Sequence, residues 1–405
     1  MKILHTADWH IGKQLYKHSL EDDLTMFFEW LEETIATEKI DILMVAGDIF
    51  DHSFPSTHSV ATYYRLLTSM IGRKIQIIIT GGNHDSVNHL HASRPILNML
   101  NIRVVGGITE NLMDEIIPLT DSNGKLEAIL LAVPYLRDRD VRNFVSSQTE
   151  SDRLADIKSG IVNHYQSVRD LAISTYGSNH PIIAMGHLYL QGAQSSDSER
   201  EIQVGNLAAV DADSLKGMFH YMALGHIHRP QSFLDGAIQY SGSPISLSFS
   251  EKDDLKRCVI IEINNGFVTT SSLPIPKFRS LKKLTGTLSQ VKEALEIIEY
   301  KSSLDTFVEI AVHEKKYNPS SINDLNNLVT SLSRSDIQIV KHAISFEESP
   351  YRINNLYQST YAINELTPRQ VFLDRLSKDS ISEEDLSLIL EAFDEVFEKS
   401  LNKEA

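Results

Sequence analysis

The chain has 405 residues, 42% of them hydrophobic and 23% charged, which is the composition of a globular protein with room for two or three domains. Its formal charge of −16 disfavours nucleic-acid binding through a diffuse basic surface, since neutralising phosphates needs clustered Lys and Arg, but it leaves open an enzyme that meets phosphate through bound cations. The lone Cys258 excludes an intrachain disulfide, no uncharged apolar run approaches the roughly 18 residues of a membrane span, and MKILHTADWH lacks a basic-then-apolar leader, so a cytoplasmic protein without a membrane segment is expected.

Along the chain, β-branched runs alternate with helix-patterned segments. KILHT (2–6) precedes a helix expected over 21–38, DILMVAG (41–47) one over 57–71, and IQIIIT (75–80) one over 90–100. Such alternation argues for an α/β sheet between layers. Further strands are expected at EAILLAV, PIIAM, HYMAL, AIQYS, RCVIIEI and FVTTSSL. That many strands fit two sheets packed face to face. The expected fold is therefore α/β (α+β), a two-sheet β-sandwich flanked by helices, over residues 1–275.

The Pro-spaced LPIPKF (273–278) reads as an extended linker. A strand-helix-strand-helix-strand rhythm follows, predicting a small α/β domain over 276–348. Its second helix sets Ile322, Leu325, Leu328, Val329 and Leu332 on one face. Residues 349–366 read as a linker and 367–405 as a helical hairpin. Thr367, Pro368 and Gln370 form a helix-start signature, and Ser382 with Asp385 repeats it. The last helix carries Leu386, Ile389, Leu390, Phe393 and Phe397 on one stripe, which we read as a partner surface.

Of the 16 histidines, 14 lie in residues 1–228, so the chemistry is sought there. HTADWH, GDIFD, GGNHD, GHLYL and GHIH each follow a predicted strand. Taken alone, each has an ordinary explanation as a turn, a helix cap or a surface histidine. Together they are hard to explain so, because sites in α/β sheets form beyond the carboxyl ends of strands, where these five loops can converge. In GHIH the two histidines at i and i+2 project to the same side. Carboxylate, imidazole and amide oxygen without thiolate suit divalent manganese, iron or zinc better than a structural zinc site or a calcium cage. Two such ions need a carboxylate between them, and Asp48 is the natural bridge. Placed about 3.5 to 4 Å apart, they would form a phosphoryl-transfer clamp.

In this order, Asp8-x-His10, Gly47-Asp48, Gly82-Asn83-His84-Asp85, Gly186-His187 and Gly225-His226-x-His228 resemble the calcineurin-like metallophosphoesterase superfamily. The longer strings HTADWHIG, VAGDIFD, GNHDS, ALGHIHRPQ and YSGSPISLSF are similar to its bacterial SbcD-type nucleases, counterparts of the eukaryotic double-strand-break repair nuclease. The resemblance covers essentially the whole chain and is strongest over 1–250. It implies one metal held by Asp8, His10, Asp48 and His228, and a second by Asp48, Asn83, His187 and His226. His84 would be the catalytic histidine and Asp85 would orient it. The expected cofactors are two divalent ions, Mn2+ favoured. The expected activity is 3′ to 5′ exonucleolytic on duplex DNA ends and endonucleolytic on single strands and hairpins.

The resemblance also implies a homodimer within a heterotetramer with an SbcC-type coiled-coil ATPase, gripped by the terminal hairpin. The chain has no Gly-x-x-x-x-Gly-Lys loop, so any ATP dependence would come from that partner. Where relatives carry a histidine three residues after the bridging aspartate, this chain has Asp51, with His52 one later, and neither receives a role. Arg94, Arg137 and Arg229 are candidate DNA contacts that no spacing selects. The metal residues alone do not choose a substrate, so a protein phosphatase or cyclic-nucleotide phosphodiesterase is the rival reading. A non-catalytic scaffold of the ATPase complex is the third.

Overall fold

The computed structural model describes residues 1–348 except 74, 142–148, 200–208, 299–301 and 333, and beyond 348 only residues 372, 376, 389, 390, 392 and 393. By contact the chain divides into two units. The first is Met1–Leu284 with Ile297–Ile310 and Ser333–His342; the second is Thr285–Glu296, Ala311–Leu332 and Ala343–Ala405.

Two six-stranded sheets build the first unit. One runs in the order Phe267–Pro274, Arg257–Asn264, Lys2–Thr6, Ile42–Ala46, Gln76–Thr80, Ile102–Val105. Its last four strands are mutually parallel. The other runs Gln231–Phe233, Ile238–Tyr240, Tyr221–Gly225, Ile182–His187, Leu126–Ala132, Ile116–Thr120. There Leu126–Ala132, Ile182–His187, Tyr221–Gly225 and Ile238–Tyr240 are parallel. Ile42–Ala46 is buried at every position, as a continuous apolar run must be when both faces of a parallel strand are covered.

One apolar core lies between the sheets, joining Ile3, Met44 and Ile78 of the first to Leu130, Ile183 and Ala223 of the second. Two further cores fill the outer faces. Glu21–Thr37 and Thr57–Ile71 cover the first sheet through Phe27, Leu31, Leu66 and Leu67. The 27-residue helix Glu150–Tyr176 covers the second through Ile157, Tyr165 and Val168. The sandwich flanked by helices is thus the observed fold.

Every strand expected in residues 1–275 forms, but five more do too: Ile102–Val105, Ile116–Thr120, Gln231–Phe233 and the short pair Gln14–Leu15 and His18–Ser19. Pro118 lies inside an edge strand, where the missing N–H is tolerated, and it hid that strand from a pattern reading. The single helix expected over 90–100 is two, Val87–Ala92 and Arg94–Met99, separated at Ser93, with Pro95 in the first turn of the second, where its missing N–H costs nothing. LPIPKF is not a free linker, since Ile275 and Phe278 are buried in the first unit's core.

Strand Arg279–Gly286, helix Leu288–Ile297, strand Leu304–Lys316, helix Pro319–Ser331 and strand Ile337–Glu348 follow the expected rhythm. The strands form one sheet in the order first, second, third. Asn318 caps the second helix and Pro319 begins it. Its buried residue is Leu325, with Ile322, Leu328, Val329 and Leu332 half-buried beside it. The helix-start signatures at 367–370 and 382–385, and Leu386 and Phe397 of the stripe, lie outside the described residues. Among those described, Phe372 and Phe393 are helical and their rings stack with centroids 4.1 Å apart. No helix among the described residues is long and apolar enough to cross a membrane.

Candidate metal centre

Parallel pairing puts the carboxyl ends of Lys2–Thr6, Ile42–Ala46 and Gln76–Thr80 at one edge of the first sheet. Those of Ile182–His187 and Tyr221–Gly225 share one edge of the second. The loops after these five strands carry eight of the nine residues singled out in the sequence, and His187 is the last residue of Ile182–His187 itself.

The backbone is bent hard to bring them together. Asp8, His10, Asp48 and His226 have φ of 53°, 47°, 49° and 94°, the left-handed region that non-glycine residues rarely occupy and that clusters at functional sites. The sheets also approach closely. A Cβ on Gly225 would lie 1.8 Å from the Ala46 carbonyl oxygen, and one on Gly47 would lie 2.1 Å from His187 Nδ1, so neither position admits a side chain.

Three groups of ligand atoms result, each within 4.8 Å: Asp8 with His10 and His228, His10 with Asp48 and His84, and Asp8 with Asp48 and His187. All are buried. Asp48 Oδ2 lies 3.6 Å from His10 Nε2, 3.4 Å from His187 Nε2 and 3.9 Å from His84 Nε2. Asn83 Oδ1 lies 2.8 Å from His187 Nε2 and 3.3 Å from His226 Nδ1. The structure therefore gathers Asp8, His10, Asp48, Asn83, His84, His187, His226 and His228 into one cluster.

Several features fit divalent cations. His187 Nδ1 donates to the Ala46 carbonyl at 3.2 Å, which turns Nε2 toward two oxygens, Asn83 Oδ1 and Asp48 Oδ2. Only a proton or a cation holds such a group together. His10 Nε2 and His228 Nε2 face one another at 3.1 Å. Asp8 Oδ2 and His226 Nε2 are buried with no hydrogen-bond partner among the described residues, a loss of roughly 1–3 kcal/mol each that a ligated ion would remove. Divalent metal binding is what this donor set is built for.

Burial and mutual charge explain the electrostatics. Burial pushes the Asp8 carboxyl up to about 7, against the pull of His187 and His228. Burial alone would lower His187, but the Asp48 and Asp8 carboxylates outweigh it and raise the ring to about 9. Burial lowers His10 to about 4 and His226 well below the usual range. For Asp48, burial is outweighed by His187, His84 and His10, which hold its carboxyl well below the ordinary value.

Asp85 sits beneath the cluster. Its carboxylate accepts the backbone N–H groups of Ile49 (3.1 Å), Phe50 (3.0 Å) and Gly82 (2.9 Å), tying two of the loops together. The His84 ring takes its bearing from the Asp51 carbonyl, to which Nδ1 donates at 2.7 Å, and its backbone N–H donates to Asp48 Oδ1 at 2.9 Å. Asp51 itself accepts from His10 Nδ1 (3.2 Å) and Lys13 Nζ (3.1 Å), while His52 is 65% exposed beside it. Arg94 and Arg229 are ion-paired to Asp114 and Asp254.

Some neighbours carried no signal in the sequence. Tyr135 and Tyr189 stand edge-on to His187 and His226, each with ring centroids 6.2 Å apart. Ser198, Glu199, Glu251 and Lys256 surround His228 from behind. The stretch SEKDDLK around Glu251 reads as an exposed polar turn, and nothing in its pattern announces burial.

The calcineurin-like phosphoesterase family profile matches residues 1–230. The chain is 31% identical over 389 residues to the SbcD subunit of the nuclease SbcCD from Escherichia coli (strain K12), spanning 95% of this chain and 94% of that protein. It is 33% identical over 310 residues to the Rhodobacter capsulatus protein of the same name, spanning 73% and 75%. The Bacillus subtilis protein of that name is 31% identical over 307 residues, spanning 72% and 76%.

Proposed function

Because the chain belongs to the calcineurin-like phosphoesterase family, and within it to the SbcD nucleases, we propose that it is the nuclease subunit of an SbcCD-type complex, hydrolysing DNA phosphodiester bonds in DNA repair, replication and recombination. The observation that carries this reading is the convergence of five strand-end loops on one buried Asp/His cluster.

Asp8, His10, Asp48 and His228 would hold one divalent ion; Asp48, Asn83, His187 and His226 would hold the other. When bound, a pair of ions, Mn2+ in our reading, supplies Lewis acidity that activates water and stabilises the entering and leaving oxygens. The protein's own part is orientation and proton handling. His84, steered by the Asp51 carbonyl, presents Nε2 on the Asp48 side of the cluster, where it would steady the scissile phosphate or protonate the leaving oxygen. Asp85 keeps that loop in place through its three backbone bonds. A groove of about 740 Å3 is lined by Asp51, His52 and Phe54 among others, and Asp51 connects it to the cluster by its hydrogen bond from His10.

The finer reading has a 3′ to 5′ exonuclease on duplex ends and an endonuclease on single strands and hairpins. Residues 276–348 would act as a capping domain, and 367–405 would bind a coiled-coil ATPase. A homodimer is supported by Ile96 and Met99 on the helix Arg94–Met99, which are 67% and 86% exposed. The buried, single Cys258 suits the cytoplasm.

The test is cleavage of linear duplex and hairpin DNA, with Mn2+ against Mg2+, with and without the ATPase. Mn2+-dependent cutting is expected. Release of phosphate from phosphoprotein, with DNA left intact under all conditions, would instead establish a phosphatase.

A further inference from the structure

His228 is gripped from three directions by groups that never reach the cluster. Its backbone N–H donates to Glu199 Oε1 at 2.8 Å. Its carbonyl accepts from Lys256 Nζ at 2.9 Å. Its Nδ1 meets the Ser198 hydroxyl, which also bonds Glu251 Oε1. Glu251 is fully buried and Lys256 only 8% exposed.

Counting protons fixes the direction of this chain. Lys256 spends its three on the His228 carbonyl, Ser243 Oγ at 2.9 Å and Glu251 Oε2 at 2.6 Å. An ammonium that close keeps Glu251 a carboxylate, which only accepts. Glu251 Oε1 also takes the hydroxyl of Ser248 (3.1 Å) and lies 2.9 Å from Ser196 Oγ, whose one proton is shared with Glu199 Oε2 at 2.7 Å. Ser198 has one proton and gives it to Glu251, so its oxygen can only accept from His228. Nδ1 must then carry the ring proton, leaving the lone pair on Nε2, the nitrogen that faces His10 Nε2 at 3.1 Å.

We propose that Glu251, anchored by Lys256 and acting through Ser198, is the positioning residue that fixes His228 in its ligating tautomer. The inference rests on reading the cluster as a metal centre. A histidine ligand whose second nitrogen is hydrogen-bonded to such a partner typically loses about 10–100-fold in metal affinity when the partner is removed.

The experiment uses the full chain stripped of metal by chelation. Mn2+ is titrated calorimetrically into the parent, Ser198→Ala, Glu251→Gln and Glu251→Gln/Lys256→Met, and the His228 tautomer is read by 15N NMR of histidine-labelled protein. Two Mn2+ are expected in the parent, with His228 protonated at Nδ1. In Ser198→Ala and Glu251→Gln, one Mn2+ should bind about 10–100-fold more weakly, the other should keep its affinity, and the Nδ1–H population of His228 should fall. Should Glu251→Gln fail to fold, Ser198→Ala, which leaves the Glu251–Lys256 pair intact, decides the matter. Two Mn2+ bound at parental affinity, with an unchanged tautomer, would overturn the inference while leaving the metal centre standing. A parent that binds no divalent cation would overturn both.

Discussion

Asp51 Oδ1 lies 3.2 Å from His10 Nδ1 and accepts its proton. The same oxygen accepts from Lys13 Nζ at 3.1 Å. Burial alone would raise the Asp51 carboxyl, but the His10 ring and the Lys13 ammonium outweigh it and hold it below the ordinary range. Asp51 is thus an acceptor that leaves the His10 lone pair on Nε2, toward Asp48 and His228. Asp51→Ala removes that acceptor without touching a proposed ligand. We expect Mn2+ affinity to fall by about 10–100-fold with the fold retained, as read by calorimetry and circular dichroism. Unchanged affinity would show that His10 needs no such support.

Asp48→Ala tests the bridge. Oδ2 of Asp48 lies within 4 Å of three imidazoles, so its removal strips a shared acceptor from both halves of the cluster. Bound Mn2+, measured by elemental analysis after gel filtration, should drop from two per chain to below one, and DNA cleavage should vanish. Cleavage that persists in this variant would refute the assignment.

His84→Ala separates chemistry from metal binding. The ring is steered by the Asp51 carbonyl and sits beside the proposed ligands of both ions. Loss of a positioned acid or base typically costs about 10²–10⁴-fold in rate. We expect single-turnover cleavage of duplex DNA to fall by that much at saturating Mn2+, with metal content unchanged. A proportional loss of metal would make His84 a ligand instead.

What the sequence revealed follows from where each residue stands. Asp8, His10, Asp48, Asn83, His84, His226 and His228 follow parallel strands directly and His187 ends one, so local patterning placed them at one end of the two sheets. Glu251 and Lys256 lie on an irregular return after Ile238–Tyr240, where charge in the sequence looks the same whether it is solvated or buried. The resemblance implied that Asp85 orients His84. Its carboxylate accepts three backbone N–H groups, two from the loop after Ile42–Ala46 and one from the loop that also carries His84, a relationship of tertiary origin. The helix Glu150–Tyr176 escaped for a related reason. Among its residues Asp, Lys, Arg and Gln interrupt the apolar positions, and what makes it a layer is the face of the second sheet it covers.

Cys258 is fully buried on the strand Arg257–Asn264, and burial pushes its thiol up to about 12. Thiolate is the reactive form, so the native protein should resist Ellman's reagent at pH 8 for hours. In guanidinium chloride one thiol per chain should react at once. Stoichiometric labelling of the native protein within minutes would contradict its burial.

Arg279 and Asp23 form a pair whose loss should cost stability. Arg279 Nε lies 3.0 and 2.9 Å from the two Asp23 oxygens, and both side chains are only 6% exposed. The guanidinium also donates to the Asp305 carbonyl at 2.7 Å and lies 3.9 Å over the Phe307 ring. Burial raises the Asp23 carboxyl even with this partner present. Arg279→Met leaves the carboxylate buried and uncompensated, at a cost on the order of 3–5 kcal/mol in urea unfolding. Because Asp23 then titrates higher still in the folded state than in the unfolded one, the folded state binds the extra proton, and stability is lost as pH rises through that range. The deficit should therefore be smaller at pH 5 than at pH 8. Adding Asp23→Asn to Arg279→Met should recover part of the loss and abolish its pH dependence. A single variant within about 1 kcal/mol of the parent at pH 8 would show that the pair is not worth what its burial implies.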